Sequence, residues 1–194
     1  MNMGRPTEFD RQDVLEKAMG LFWRKGYEAT GLTELTKEMG IGRQSLYNAF
    51  GDKHGLFVES IKHYSMQNTR PLIDLLTAPG SGISNIRKAL ESVVELTNSG
   101  DCRGCLLTNS IVELASHDEE VAEVVRSAIG RLENAFKLAL ERSIESGEIS
   151  QDLNPRAYAR FLNNTLQGMI VLGKASTSKT ILRDVVKVAL SKLV

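Results

Sequence analysis

Three observations predict an all-α chain in two parts. The 194 residues contain four prolines, at positions 6, 71, 79 and 155, which leaves long intervals free of the residue that most disrupts a helix. Apolar side chains recur at steps of three and four, the mark of a buried helical stripe. Near the N-terminus two short helical segments flank a glycine-containing turn, the pattern of a helix-turn-helix. The reading is a small three-helix unit over residues 1–52 and a larger helical unit over 53–194.

The first helix is expected at about 10–25. Val14, Ala18, Leu21 and Phe22 form its stripe. Asp10 is placed to cap it, and Gly26 follows Arg24 and Lys25 as a stop. Leu32, Leu35 and Met39 mark a second helix that ends at Gly40, and Arg43 to Phe50 form a third after the turn Gly40-Ile41-Gly42. Helices this short are marginal in isolation, so both need the first helix and the start of the fourth for a shared core. A long helix is expected over 53–77, kinked or broken at Pro71. Further helices are expected near 84–98, 105–115, 118–146, 155–174 and 178–193. In 118–146, Val121, Val125, Ala128, Leu132, Phe136 and Ala139 repeat at helical steps. Asn154 and Pro155 read as cap and first helical residue of the segment that follows. No strand pattern of useful length is present.

Composition excludes several classes. Hydrophobic residues make up 42% and charged residues 25%, which fits a globular protein and neither a disordered chain nor a collagen-like fibre. Only Cys102 and Cys105 occur, too few for a secreted disulfide framework. The N-terminal stretch lacks an apolar signal region, and no apolar run approaches the ~20 residues of a membrane span. A cytoplasmic protein with no membrane partner is expected. Basic and acidic residues both number 24, so binding to nucleic acid must rest on a local patch rather than on overall charge.

The segment 43–50 carries the chemistry. At ~100° per residue, Leu46, Ala49 and Phe50 fall on one face, while Gln44 and Asn48 fall opposite, with Tyr47 beside them and Arg43 at the N-terminal end. Arg can fork onto guanine, and Gln or Asn onto adenine, in a major groove. Tyr and Ser hydroxyls suit phosphate oxygens. The same residues would also make an ordinary solvated face.

The stretch Gly26-Tyr27-Glu28-Ala29-Thr30, then Leu32-Thr33, then Met39 through Lys53 resembles the DNA-binding region of the TetR family of transcriptional repressors, preceded by Gly4-Arg5-Pro6 and Phe9-Asp10. The likeness covers residues 4–64; the remainder matches in being helical and of suitable length. The resemblance implies a homodimer on a palindromic double-stranded DNA operator, released by a small-molecule inducer, and no enzyme activity. It implies that Thr33 lies near a phosphate, and that Arg43, Gln44, Ser45 and Asn48 reach bases or nearby phosphates. Tyr47 and Lys53 would contact phosphates, and Arg5 would belong to an arm near the backbone or minor groove. His54 stands where an acidic residue is common and would add a donor near the DNA. Gly31 and Gly42 replace the hydroxyl residues that often cap these helices, at a cost of only a few tenths of a kcal/mol. Residues 1–64 hold nine bases and nine acids. A usable patch therefore requires Arg5, Lys37, Arg43, Lys53 and His54 to converge while the acids point away.

The pair Cys102-Arg103-Gly104-Cys105 opens a helix. Helix N-termini and neighbouring arginines favour the thiolate form, so oxidation or alkylation of Cys102 or Cys105 could release DNA. The plainer reading makes Cys105 a small core residue and Cys102 a surface one. A rival function is Cys-x-x-Cys redox exchange, which would call for a βαβ setting. Another is a DNA-binding protein with a role outside transcription. No metal site or cofactor is expected, because a second ligand pair for zinc is lacking. Candidates for a pocket within the long helices are Tyr64, Met66, Cys105, Leu107, Phe136 and Met169, each of which could equally be core. Helix 155–174 is apolar nearly all round (Tyr158, Phe161, Leu162, Leu166, Met169, Ile170, Leu172), so it must be buried on more than one side. It and 178–193 are the expected dimer face.

Overall fold

Ten α-helices are seen among the residues that the computed structural model describes, 9–96, 103–175 and 177–193. The first, α1 (Arg11–Lys25), is capped by the Asp10 carboxylate, which accepts from the amides of Gln12 and Asp13. It ends at Gly26, where φ is 85°. Then come α2 (Leu32–Met39) and α3 (Arg43–Phe50), neither with a side-chain cap at its glycine N-cap, and α4 (Lys53–Tyr64), capped by Asp52 on the Gly55 amide. A β-carbon at Gly55 would lie 2.3 Å from the Phe50 carbonyl oxygen, so only glycine lets α4 start this close to the end of α3.

The expected break near Pro71 takes a particular form. After Tyr64 the chain widens into a π-helical turn, Ser65–Thr69, before α5 (Arg70–Thr77). Proline offers no N–H to the carbonyl four residues back and its ring crowds that carbonyl. A turn with i→i+5 bonds accommodates this without ending the helix. The remaining helices are α6 (Gly82–Leu96), α7 (Leu106–Glu113), α8 (Glu119–Glu145), α9 (Pro155–Lys174) and α10 (Lys179–Leu190). Asp118, Asn154 and Ser178 cap the last three.

Two apolar cores form. The second holds α5, α6, the C-terminal half of α8, α9 and α10 around Ile86, Leu90, Phe136, Leu162 and Leu182. The first gathers Phe22, Leu35, Leu46, Phe57 and Ile61 from the N-terminal helices. It also takes in Leu106, Leu107, Leu114 and Val121, so it crosses the division expected between residues 52 and 53. Apolar stripes on α1 to α4 are wider than three short helices can cover, and α7 with the start of α8 closes them.

Candidate functional site

The third helix buries Leu46 and Phe50 and leaves Arg43, Gln44, Tyr47 and Asn48 exposed, with Ser45 half-buried. The Arg43 guanidinium donates to the Thr33 hydroxyl at 2.8 Å, which joins the starts of α2 and α3. One turn along α3, Gln44 Nε2 donates to Asn48 Oδ1 at 3.0 Å. Arg11 fixes the other end of α3. It pairs with Glu59 at 2.7 Å, lies 4.7 Å over the Phe50 ring and reaches the Ala49 carbonyl at 3.4 Å.

Local pairing sorts the charges of this neutral head. Lys17 binds Asp13, Arg24 binds Glu38 and Lys25 binds Glu34. With Arg11 on Glu59, four bases and four acids cancel. Among the described residues of this head, Lys37, Arg43, Lys53 and Lys62 make none of these ion pairs; the first three stand at α2 one turn beyond Thr33, at the start of α3 and at the start of α4, and Lys62 in the last turn of α4. The Lys53 ammonium rests 4.2 Å over the Tyr27 ring. Burial, and then Glu28, Asp52 and Asp118, push the Tyr27 phenol above its usual value, so it stays a neutral ring. Arg5 lies outside the described residues.

His54 is not where the sequence placed it. Its Nε2 meets the Asp118 carboxylate at 2.7 Å, and Nδ1 lies 3.8 Å from Glu120, so the ring turns toward the start of α8 rather than outward beside Lys53. Burial pushes the Asp118 carboxyl up, but the Val121 amide and the His54 ring outweigh it and hold the carboxyl below the usual carboxylate value. The acids that attract the imidazole come from 64 residues away in sequence, which a local reading of α4 could not see.

Two more fastenings join the head to the same stretch of chain. The Glu113 carboxylate, at the end of α7, accepts from the amides of Tyr27 and Glu28 at 3.0 and 2.8 Å. A β-carbon at Gly26 would meet this carboxylate at 2.8 Å. Trp23 Nε1 donates to the Gly104 carbonyl at 3.1 Å. Residues 104–118 thus form a strap held to α1, the turn after it and α4.

A cavity of about 280 Å³ lies behind the strap. Tyr64, Cys105 and Leu107 line it as the sequence suggested, together with Trp23, Ala128 and Gln167, which it did not. Three other candidates are elsewhere. Met66 is 68% exposed, because the π-turn carries it outward, and Phe136 and Met169 are buried in the second core, where neighbouring helices fill the space around them. Cys105 is buried, and Cys102 lies outside the described residues. The clue to Trp23 was a large aromatic one step off the α1 stripe.

The outer faces of α9 and α10 carry a different signal. Phe161 is 47% exposed and Leu172 44%, with Gly168 between them on one side of α9; Ile181 and Val188 are 53% and 68% exposed on α10. No helix among the described residues is long and apolar enough to cross a membrane.

Comparison with known proteins places this geometry. Residues 14–59 match the family model for bacterial regulatory proteins of the tetR family, and residues 82–189 match that for the tetracycline repressor-like C-terminal domain. The chain is 36% identical over 193 residues to the HTH-type transcriptional regulator YezE of Bacillus subtilis, covering 98% of this chain and 100% of that protein. It is 29% identical over 179 residues to the transcriptional repressor ComR of Escherichia coli, covering 90% and 84%. Among solved structures, a cysteine-substituted form of the TetR family regulator CifR, complexed with 26-bp double-stranded operator DNA, superposes with a TM-score of 0.86 at 32% identity, covering 98% of this chain and all of that one. The redox-enzyme reading of the cysteine pair falls with this result, since the relatives are regulators and no strand exists among the described residues to build a βαβ unit. The chain belongs to the TetR family of helix-turn-helix transcriptional regulators.

Proposed function

We propose that the protein is a homodimeric repressor that sets two copies of α3 in successive major grooves of a palindromic operator and leaves it when a small molecule enters the cavity or Cys105 is modified. The observation that carries the reading is the sorting of charge in the head. Four bases are spent on local ion pairs, and of the other four described, Lys37, Arg43 and Lys53 stand at the starts or exposed turns of α2, α3 and α4, around Gln44, Tyr47 and Asn48, with Lys62 at the far end of α4. Gln44 and Asn48 offer amide edges suited to adenine, Arg43 to guanine. Thr33, Ser45, Tyr47 and Lys53 are suited to phosphate. Operator binding by wild type against a Gln44→Ala/Tyr47→Ala double variant tests this, using DNA selected in vitro; equal binding would refute it.

The outer faces of α9 and α10 support the dimer. Phe161, Leu172, Ile181 and Val188 form two exposed apolar stripes on adjacent helices, and a second copy related by a two-fold axis would cover both at once. A two-fold dimer also suits half-sites spaced about 34–36 Å or a multiple apart. Release would run through the strap. The inner side of 104–107 walls the cavity and its far end holds the Tyr27 and Glu28 amides, so a change at the wall alters the seat of the head as well as that of α4. An effector shifts the equilibrium only by its difference in affinity for the two seats. Treating a Cys102→Ser variant with N-ethylmaleimide tests the thiol route. Loss of operator binding that tracks alkylation of Cys105 supports it, and full alkylation with binding intact refutes it.

A further inference from the structure

The head itself forms one wall of the cavity. Trp23 belongs to α1, whose other large side chains pack into the DNA-binding core, yet its ring lines the cavity between Tyr64 and Gly104. The indole and phenol rings meet edge to face with centroids 4.9 Å apart. The indole N–H is already spent on the Gly104 carbonyl, so Trp23 offers the cavity only apolar surface.

The polar groups on the wall narrow what can enter. No carboxylate lines the cavity among the described residues. A buried cation without a counter-charge is strongly disfavoured. Arg103 also stands on the wall, its guanidinium 5.6 Å over the Trp23 ring, so the fixed charge of the lining is positive and a cationic ligand is disfavoured twice over. Asn68 Nδ2 donates to the Tyr64 carbonyl at 3.3 Å. Gln167 Oε1 takes the Thr108 hydroxyl at 2.5 Å, which fixes the amide and leaves its NH₂ group as a donor. Most of the remaining wall is hydrocarbon, such as Leu72, Leu107, Ala128, Leu132 and Ile170. In size, a cavity of about 150 Å³ holds one benzene ring, so this one suits a molecule of about ten to twelve non-hydrogen atoms.

We infer that the cavity takes a largely apolar, non-cationic molecule of that size with one hydrogen-bond acceptor group, bound by the Gln167 amide and packed directly against Trp23 of the DNA-binding head. The inference rests on the reading of this cavity as the effector site. The ligand then touches the head without an intermediary. Any displacement of the indole strains its bond to Gly104 at the near end of the strap, and the strap carries the change on to Glu113.

The chain has a single tryptophan, so its emission reports on this wall alone. The full-length protein is titrated with 4-tert-butylcyclohexanone, with tert-butylcyclohexane, and with a matched cation, 4-tert-butylcyclohexylammonium. Binding is read by Trp23 emission and by calorimetry. The ketone is expected to shift the emission saturably, with the same Kd by both methods. The ammonium is expected to bind at least tenfold more weakly. Gln167→Leu should weaken the ketone about tenfold and leave the hydrocarbon unchanged; Ala128→Leu, which fills the cavity, should abolish both. Should either variant fail to fold, the ketone-to-ammonium ratio in wild type still decides. Equal affinity for the ammonium, no binding of the ketone, or calorimetric binding that leaves Trp23 emission unmoved would each overturn the inference. A ketone that binds and shifts Trp23 but leaves the operator complex intact would uphold the inference and refute only the effector reading.

Discussion

The face of α3 and the face of α9 and α10 are both surfaces that the fold leaves unfinished, and they are unfinished in opposite ways. Around α3 four acids are paired with neighbouring bases, and Lys37, Arg43 and Lys53 remain outside those pairs beside a row of amide and hydroxyl groups. On α9 and α10 what remains is aliphatic and aromatic carbon, with Val188 68% exposed. A polar face that keeps its unpaired cations suits a polyanion, whereas an apolar stripe on each of two adjacent helices suits a second copy of itself. The purpose of a surface is therefore legible in what its own chain does not neutralise or cover.

Changes at the two faces should fail differently. The largest effect is expected from the apolar face. Phe161→Glu with Val188→Glu should give a folded monomer by sedimentation and weaken operator binding by roughly a thousandfold, since a lone head reaches only one half-site of an operator built for two. A variant that stays dimeric, or a monomer that binds as tightly, would break the comparison. At the polar face, Gln44→Ala should cost about 1–3 kcal/mol and relax base preference at one position of each half-site. Selection of bound DNA with the variant would show it, and an unchanged consensus would count against direct readout.

Between the two faces lies the strap. Glu113→Ala removes the acceptor for two backbone amides, a charge-assisted pair worth about 1.5–3 kcal/mol each at most. Hydrogen exchange at Tyr27 and Glu28 should accelerate, and operators with altered half-site spacing should be discriminated less well by the variant. Preserved exchange protection would show the head seated by its apolar core alone. A smaller effect concerns salt. Lys37→Ala should reduce the slope of log affinity against log salt by about 0.9 for each phosphate that the ammonium no longer neutralises, with little change in the base preferred. An unaltered slope would place Lys37 away from the duplex.

The smallest effect is one of pH. Hydrogen bonds from Ser143, opposed by partial burial, and then from Ser81 and the Ile83 amide hold the Glu148 carboxyl below its usual value. A carboxyl that titrates lower in the folded state stabilises that state fully above the ordinary carboxylate range, and the contribution disappears as pH falls through the lowered value. Thermal melts of Glu148→Gln should therefore converge with wild type in acid and fall below it near neutrality. A constant gap at every pH would mean that the charge of Glu148 contributes nothing.

Much of this architecture is legible in sequence because it is periodic. The stripe Val14, Ala18, Leu21, Phe22 and the caps Asp10 and Asn154 depend on neighbours within one turn, and each took the expected role. The exposed polar residues from Arg43 to Asn48 could be placed on a face for the same reason. Pocket residues were legible only in part. Tyr64, Cys105 and Leu107 line the cavity, whereas Met66 was turned outward by a π-turn whose extra residue has no signature beyond Pro71.

By itself, then, the sequence determined the helices, their order, the head and the polar face of α3, because helical periodicity and capping are settled within a few residues. The tertiary structure decided that His54 faces Asp118 and that Trp23 walls the cavity, and it fastened the head through Glu113. Those contacts join residues 64 to 86 positions apart. A carboxylate or carbonyl at that distance leaves no periodic trace in the chain, so only the packing of α7 and α8 against α1 and α4 could bring the partners together.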